Sequence, residues 1–386
     1  VQVLITGGSG FLGAAILPFL VKDPDIKTIH LLIRDSTREP AAKRVDTLIE
    51  KIFLPADRPL ASEKITPAIG DLTLEKMGFL PEAYRALAQT CTHVLHVGAS
   101  TDFGAPLDES RRINVDGTQK ILDFCLEAKR LNPQFVRLDY VSTAYVAGTK
   151  PGIVTENDIS RGQKFANNYE QSKYEAELLV RSYMDKIPIA IERPSIVVGD
   201  SRNGFTPHFK VLYWPLILLS KNILPFIPCN PEATLDIVPV DFVAKGIVTL
   251  FKAPDALGKT FHLTTGADSN VKIRSFLNDA FSMTSIKKRP LIPLWIFKIL
   301  RNRFMKPIMS ESFWEACDLA AVYSEYIRGT RVKFDNSFTN SFLKKYGVEK
   351  SPTWDEYKAN VLSYCMETKW GKKKILEEFR YRNPAT

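Results

Sequence analysis

The 386-residue chain has few cysteines, few histidines and no apolar run long enough to cross a bilayer. Its five cysteines, Cys91, Cys125, Cys229, Cys317 and Cys365, stand at least 34 positions apart, with no CxxC and no Cys/His clip. That spacing argues against a disulfide framework and a structural zinc site, and it suits a reducing, cytoplasmic setting. The most suggestive apolar stretch, residues 211–220, falls well short of the roughly 18 residues a membrane span needs. His93 and His96 are three apart in a strand-like run, so their side chains point to opposite faces and cannot chelate together; no metal site is expected. Repeats and low-complexity tracts are also lacking. The chain opens on the strand-like VQVLIT rather than on Met, so a missing upstream segment is one expectation.

Positive charge is in surplus. Lys and Arg number 52 against 43 Asp and Glu, a formal charge of +9. Such a balance suits an anionic partner: a nucleotide, coenzyme A, nucleic acid or an acidic membrane. Nucleic acid rests on charge alone, with no motif behind it, and is not expected as a partner. At 45% hydrophobic and 25% charged, the composition is that of a globular protein with one or two domains and a large core.

The first half alternates β-branched runs with amphipathic stretches. Residues 1–6, 28–33, 64–69, 93–97, 135–142 and 189–192 read as strands, and the rhythm predicts an α/β fold, a Rossmann-like doubly wound parallel sheet. After Gly199 the pattern loosens, returns over residues 235–265, and becomes mostly helical. The expected division is a nucleotide-binding domain over residues 1–200 with the returning segment 235–265. Residues 201–234 and 266–386 would form a smaller, mostly helical substrate-binding region.

TGGSGFLG follows the first strand and opens a helix. Thr6, Gly7, Gly8, Ser9, Gly10, Phe11, Leu12 and Gly13 are thus candidates for holding a pyrophosphate. The glycines permit a tight turn, and the helix N-terminus offers free amides and a favourable dipole. At the end of the second strand, HLLIRD places Arg34 where a carboxylate would select NAD. A guanidinium there pairs with a 2′-phosphate, so NADPH is the expected cofactor. Arg44 is either a second phosphate clamp or a solvated helix-face residue. Asp35 stands close enough to reach a ribose. Asp71, with adjoining Leu72, is either an adenine contact or a strand-end turn.

Tyr169 and Lys173 are four apart in NNYEQSKYEAE and share a helix face, which predicts an ammonium beside a phenol of lowered pKa, a proton donor to a carbonyl receiving hydride. VSTAYVAG ends another strand, placing Thr143 at the crevice edge to bond the substrate oxygen, with Ser142 its structural neighbour.

TGGSGFLG, GDL, INVDGT, VSTAYVAG, YEQSK and RPSIVVGD, in this order, resemble the extended short-chain dehydrogenase/reductase superfamily. The resemblance implies the Rossmann fold and Thr143, Tyr169 and Lys173 as catalytic residues, with Lys173 also on the cofactor ribose. It further implies Gly98, Ala99, Ser100, Pro194, Ser195 and Ile196 along the cofactor, and Asn114 as a structural or proton-relay residue. LLIR, AAKRVDTL, GDLTLEKMGF and GASTDFGAPLDESRRINVDGT look like the thioester reductase and fatty acyl-CoA reductase branch, as do the later VKFDNSFTNSFLKKYG and TWDEY. That likeness implies NADPH-dependent reduction of a fatty acyl thioester, on coenzyme A or an acyl carrier protein, to an aldehyde and then in some members to an alcohol. GAS in place of a double-alanine motif, and YEQSK, bear on the end product rather than the reaction class. The Tyr/Lys set serves equally a reductase or epimerase acting on a sterol, an alcohol or a nucleotide sugar; a non-catalytic NADP sensor is disfavoured because both residues are present.

FTPHFKVLYWPLILLSKNILPFIP, residues 205–228, reads either as an acyl channel, with His208 near the acyl group, or as core packing of a helical subdomain. The basic amphipathic residues 289–309 read as a core-packed helix, a peripheral membrane contact, a tunnel cover or a coenzyme A contact.

Overall fold

The alternating β-branched runs become parallel strands in the computed structural model, which describes residues 1–35, 40–209, 212–221, 226–300, 314 and 332–372. The strands are β1 (Gln2–Thr6), β2 (Thr28–Ile33), β3 (Ile65–Ile69), β4 (His93–His96), β5 (Arg137–Val141), β6 (Ile189–Pro194) and β7 (Thr260–Leu263). They form one sheet in the order β7-β6-β5-β4-β1-β2-β3, every pair parallel. Every residue of β5 and β6 is buried, as parallel strands covered on both faces require.

Helices α1 (Phe11–Lys22) and α2 (Ala41–Ile52) cover one face of the sheet. The other face carries α3 (Pro81–Thr90), α4 (Leu107–Asn114), α5 (Asp116–Leu131) and α6 (Asn168–Arg181). Strand order reverses between β1 and β4, so a crevice opens beyond their C-terminal ends.

Beyond β6, α7 (Tyr213–Ser220) and later elements build a second apolar core, whereas α8 (Val240–Lys252) joins the first. Tyr213, Leu216, Ile273, Phe276, Trp354 and Tyr357 are buried together in the second, while α8 itself packs on α1. The described chain after residue 332, within the region expected to bind substrate, packs back on the sheet. Val332–Phe334 pairs in parallel with Gly152–Val154. Phe342 and Leu343, in α9 (Ser337–Lys345), enter the core around α1 and α8. The returning strand supplies the reason: Phe261 lies 5.6 Å from Phe338 and 4.9 Å from Phe342, ring centre to ring centre.

Polar contacts fix the same junction. The His262 amide donates to Thr339 Oγ1 at 2.8 Å, the Thr339 hydroxyl donates to Glu156 at 2.7 Å, and Asn336 Nδ2 donates to the Thr264 carbonyl at 2.8 Å. The FDNSFTN stretch, expected where substrate is chosen, therefore ties the chain to the sheet. Of the basic segment, Trp295 and Ile299 are exposed, whereas the Lys298 side chain and residues 301–309 lie outside the described residues. Among the described residues no helix is long and apolar enough to cross a membrane, and no group of three His, Cys, Asp or Glu side chains could hold a metal.

Burial, with Arg193 adding, pushes the His262 imidazole down to about 3. The folded chain thus holds it neutral while the unfolded chain protonates it near pH 6.5, so acidification from 6.5 towards 3 favours unfolding. The slope of unfolding free energy against pH over this window is expected to fall by about 1.4 kcal/mol per pH unit in His262→Asn, measured by urea unfolding at several pH values.

Candidate active site

β1 ends at Thr6 and the chain turns through Gly7 into α1. Gly7 has a positive φ of 68°, and a Cβ there would sit 2.6 Å from the Gly98 backbone; at Gly13 it would sit 2.3 Å from the Gly7 carbonyl oxygen. Only hydrogen fits at either place. The Gly10 amide donates to the Gly7 carbonyl at 2.9 Å, closing the turn. Gly10 is also the N-cap of α1, with no side chain capping the helix and no acidic residue in its first turn. The first turn of α1 thus presents its amides and the positive end of its dipole to the crevice, the arrangement a pyrophosphate requires.

The crevice has two parts. One is a cavity of about 300 Å³ lined by Gly7, Gly10, Phe11, Leu12 and Gly13 of the loop, Gly98 and Ala99 after β4, and Pro194, Ser195 and Ile196 at the end of β6. Thr143, Tyr169 and Lys173 line the same cavity. The other is a cleft of about 370 Å³ bounded by Ser9, Arg34, Arg44, Asp71, Leu72 and Ser100. Sequence positions spread over nearly 200 residues thus converge at the C-terminal edge of the sheet.

Three expected cofactor residues line neither space. Thr6 is fully buried, its hydroxyl 2.6 Å from His96 Nδ1 and accepting the Gly98 amide at 3.0 Å. Gly8 is buried, with Leu31 against the position of a Cβ. Asn114 accepts from the Ser100 amide at 2.8 Å and donates to the Ser100 carbonyl and to Ser172 Oγ. These residues brace the crevice from behind.

In the cleft, Arg34 is 71% exposed and 4.0 Å from Asp71, leaving its guanidinium open to an anion. Arg44 donates to the Arg34 carbonyl, holding the strand end beside the cleft. Asp71 forms the strand-end turn: its Oδ1 accepts from both the amide and the hydroxyl of Thr73 at 2.8 Å. Asp35 accepts from the Ala41 amide at 3.0 Å and so is engaged at the start of α2.

α6 begins where Asn167 accepts the Glu170 amide at 2.9 Å, and Glu170 in turn accepts the Ala166 amide at 2.9 Å. This cap places Tyr169 in the first turn and Lys173 one turn on. The expectation of a phenol with its pKa lowered by the ammonium is not met. Lys173 donates instead to Tyr140 Oη at 2.8 Å and to the Val141 carbonyl at 2.9 Å. Burial pushes the Tyr169 phenol up to about 12, opposed by the Thr143 hydroxyl, and pushes the Lys173 ammonium down to about 7, opposed by Glu177. Thr143 itself is buried; its hydroxyl donates to the Pro194 carbonyl at 3.3 Å and accepts the Tyr145 amide at 3.3 Å. A buried neutral phenol beside a hydroxyl can donate a proton to an oxyanion that forms between them.

Ser142 also lines the cavity, and its hydroxyl donates to Glu177 at 2.6 Å. Burial raises the Glu177 carboxyl, but Arg193, Arg181 and Ser142 outweigh it and hold the group at about 2. Thr101, Phe103 and Tyr145 also line the cavity and were not anticipated; Phe103 stacks at 5.5 Å from Tyr169. Their only signal was position, within GASTDFGAP and VSTAYVAG. His208 lines the cavity as well.

A family model described as male sterility protein matches residues 5–247. A linear gramicidin synthase of Brevibacillus parabrevis is 28% identical over 95% of this chain, but the match spans 7% of that protein. A putative fatty acyl-CoA reductase of Drosophila melanogaster is 27% identical over 77% of this chain and 67% of its own length. A nonribosomal peptide synthetase of Aspergillus flavus is 28% identical over 68% of this chain and 26% of its own length. The chain therefore spans only a small part of the synthetases it matches. Among solved structures, the terminal R domain of the myxalamid PKS-NRPS pathway aligns with a TM-score of 0.79 and 25% identity, covering 97% of this chain and 92% of that one. UDP-glucuronic acid 4-epimerase of Bacillus cereus shares the fold, with a TM-score of 0.66 and 17% identity over 98% of this chain and all of that one.

Proposed function

The chain belongs to the male sterility protein family, an oxidoreductase family built on an NAD(P)-binding Rossmann fold, and on that premise we propose that it reduces fatty acyl thioesters with NADPH, giving the aldehyde. One observation carries the reading: Thr143, Tyr169 and Lys173 line the same cavity as the glycine loop, so proton donor and dinucleotide share one space.

The residues present fit a bound dinucleotide. Gly7 and Gly13 let the loop pack against the Gly98 backbone and the start of α1 where no Cβ would fit, and α1 has no side-chain cap. Arg34, open beside Asp71, suits a 2′-phosphate, and Arg44 steadies it through the carbonyl of Arg34. Gly98 and Ala99 on one side, and Pro194 to Ile196 on the other, would flank the cofactor. When bound, NADPH supplies the hydride.

Tyr169 and Thr143 would hold the thioester oxygen, the phenol giving up its proton as negative charge develops there. Lys173 would hold the ribose and, as a cation, favour that charge. The resulting hemithioacetal expels the thiol and leaves the aldehyde. A second reduction to the alcohol would use the same residues. Phe11, Leu12, Phe103 and Ile196 give the cavity an apolar lining suited to an alkyl chain. The likeness to an acyl-CoA reductase on one side and synthetase R domains on the other supports a thioester carried by coenzyme A or by an acyl carrier protein.

Incubation with NADPH and a panel of acyl-CoA and acyl-carrier thioesters is expected to consume NADPH with release of free thiol. No thiol from any substrate would defeat the reading, and two NADPH per thiol would establish the alcohol as product. Tyr169→Phe should lower kcat by about 10²–10⁴-fold while NADPH binding, followed by fluorescence titration, is retained. Arg34→Ala should weaken NADPH binding by about 10-fold or more and leave NADH nearly unchanged, because only the former carries the 2′-phosphate.

A further inference from the structure

Lys173 is 2% exposed, yet it lines the cavity. Its ammonium has three N–H donors. The Tyr140 hydroxyl takes one at 2.8 Å and the Val141 carbonyl another at 2.9 Å, so one remains for whatever occupies the cavity. The ammonium also lies 4.3 Å from the centre of the Tyr140 ring. One side chain thus meets the cation through both its oxygen and its π face.

Tyr140 itself is fully buried, does not line the cavity and cannot touch a bound molecule. Its phenol is anchored from beneath. The hydroxyl interacts with Thr118, and the ring packs 5.7 Å from His96. Thr118 Oγ1 donates to the Asn114 carbonyl at 2.6 Å and lies 3.1 Å from His96 Nε2, while His96 Nδ1 lies 2.6 Å from the Thr6 hydroxyl. Thr118 uses its single proton on Asn114, so Nε2 is the protonated nitrogen of His96 and Nδ1 accepts from Thr6. The phenol is therefore fixed by residues that reach the start of the glycine loop, and it offers its oxygen to Lys173 as an acceptor.

We propose that Tyr140 is a positioning residue for Lys173: its hydroxyl fixes the direction of the ammonium, leaving one N–H for the dinucleotide, and sustains its charge. The proposal rests on the reading of the cavity as a reductase centre. The other ionisable groups acting on the ammonium are Glu177 from α6 itself and His96 from β4, the imidazole held neutral by burial and the lysine charge, while Tyr169 acts on the Tyr140 phenol. Burial pulls Lys173 to about 7, within reach of ordinary assay pH, so the loss of one charge-sensitive hydrogen bond has a visible effect.

The test is Tyr140→Phe, which keeps the ring face and removes the oxygen. Carbon NMR of labelled lysine in the cofactor-free protein is expected to show Lys173 titrating at least about half a pH unit lower than in the wild type. In the same variant the alkaline limb of kcat/KM should move down with it, while KM for NADPH rises by about fivefold. An unchanged Lys173 titration with an unchanged alkaline limb would overturn the proposal. Lys173→Met separates this result from the reading beneath it. Full turnover in that variant would defeat the assigned centre, whereas lost turnover beside a wild-type Tyr140→Phe would defeat only the role of Tyr140. If Tyr140→Phe does not fold, 3-fluorotyrosine at position 140 weakens the acceptor at nearly constant shape and should shift the titration in the same direction; no shift would overturn the proposal.

Discussion

The ion pair between Glu177 and Arg193, 2.6 Å apart and wholly shielded from solvent, is the contact on which the rest of the site depends. Two charges at this depth persist only because every neighbour answers them. Ser142 at the end of β5 and Arg181 on α6 bind the carboxylate. The guanidinium donates to the Asp158 carbonyl at 3.0 Å and lies 3.3 Å from His262 Nε2. His262 Nδ1 is in turn 2.7 Å from the Asp335 carbonyl. One polar cluster thus joins α6, which carries Tyr169 and Lys173, to strands β5, β6 and β7 and to the returning C-terminal segment. The loss of either charge would strand the other in the core, at a cost of about 3–5 kcal/mol.

That anchoring explains how the centre can combine a rigid helix with an ammonium pulled towards neutrality. α6 cannot shift to relieve the desolvation of Lys173, since Glu177 one turn later is pinned. The lysine instead satisfies itself downward, on Tyr140 and Val141. Tyr169 meets the same burial from the opposite sign and stays protonated. The low-dielectric setting that raises one group and lowers the other is what makes an acid and a nearby cation useful together.

Local pattern carried the sheet. The six β-branched runs lie within two residues of observed strands, and Thr260–Leu263 emerged as the returning seventh, because periodicity and the glycine loop are both short-range signals. The convergence of Thr143, Tyr169 and Lys173 was legible for the same reason, through motif spacing on one helix and one strand end. Long-range contacts were not. Nothing near Lys173 announces Tyr140, which is 33 positions earlier and accepts a hydrogen bond from its ammonium. Likewise FDNSFTN carries no local mark of a tie to the sheet, because its partners Glu156, His262 and Thr264 are remote in the chain. Nor does the sequence disclose that Asp35 and Asp71 each accept a backbone amide, from Ala41 and Thr73.

The bond from Asn336 to the carbonyl of Thr264 brings together the two ends of a 71-residue stretch, 265–335. Closing a loop costs entropy that grows only slowly with its length. This stretch leaves the last strand of the sheet and returns to it at Asn336, and on the way Val271–Lys272 pairs with Thr234–Leu235 and Val332–Phe334 with Gly152–Val154. Each such tie shortens the loop that remains to be closed, so the entropy of closure is divided among several connections. The last strand thus keeps its place through chain far beyond it as well as through its neighbour in the sheet.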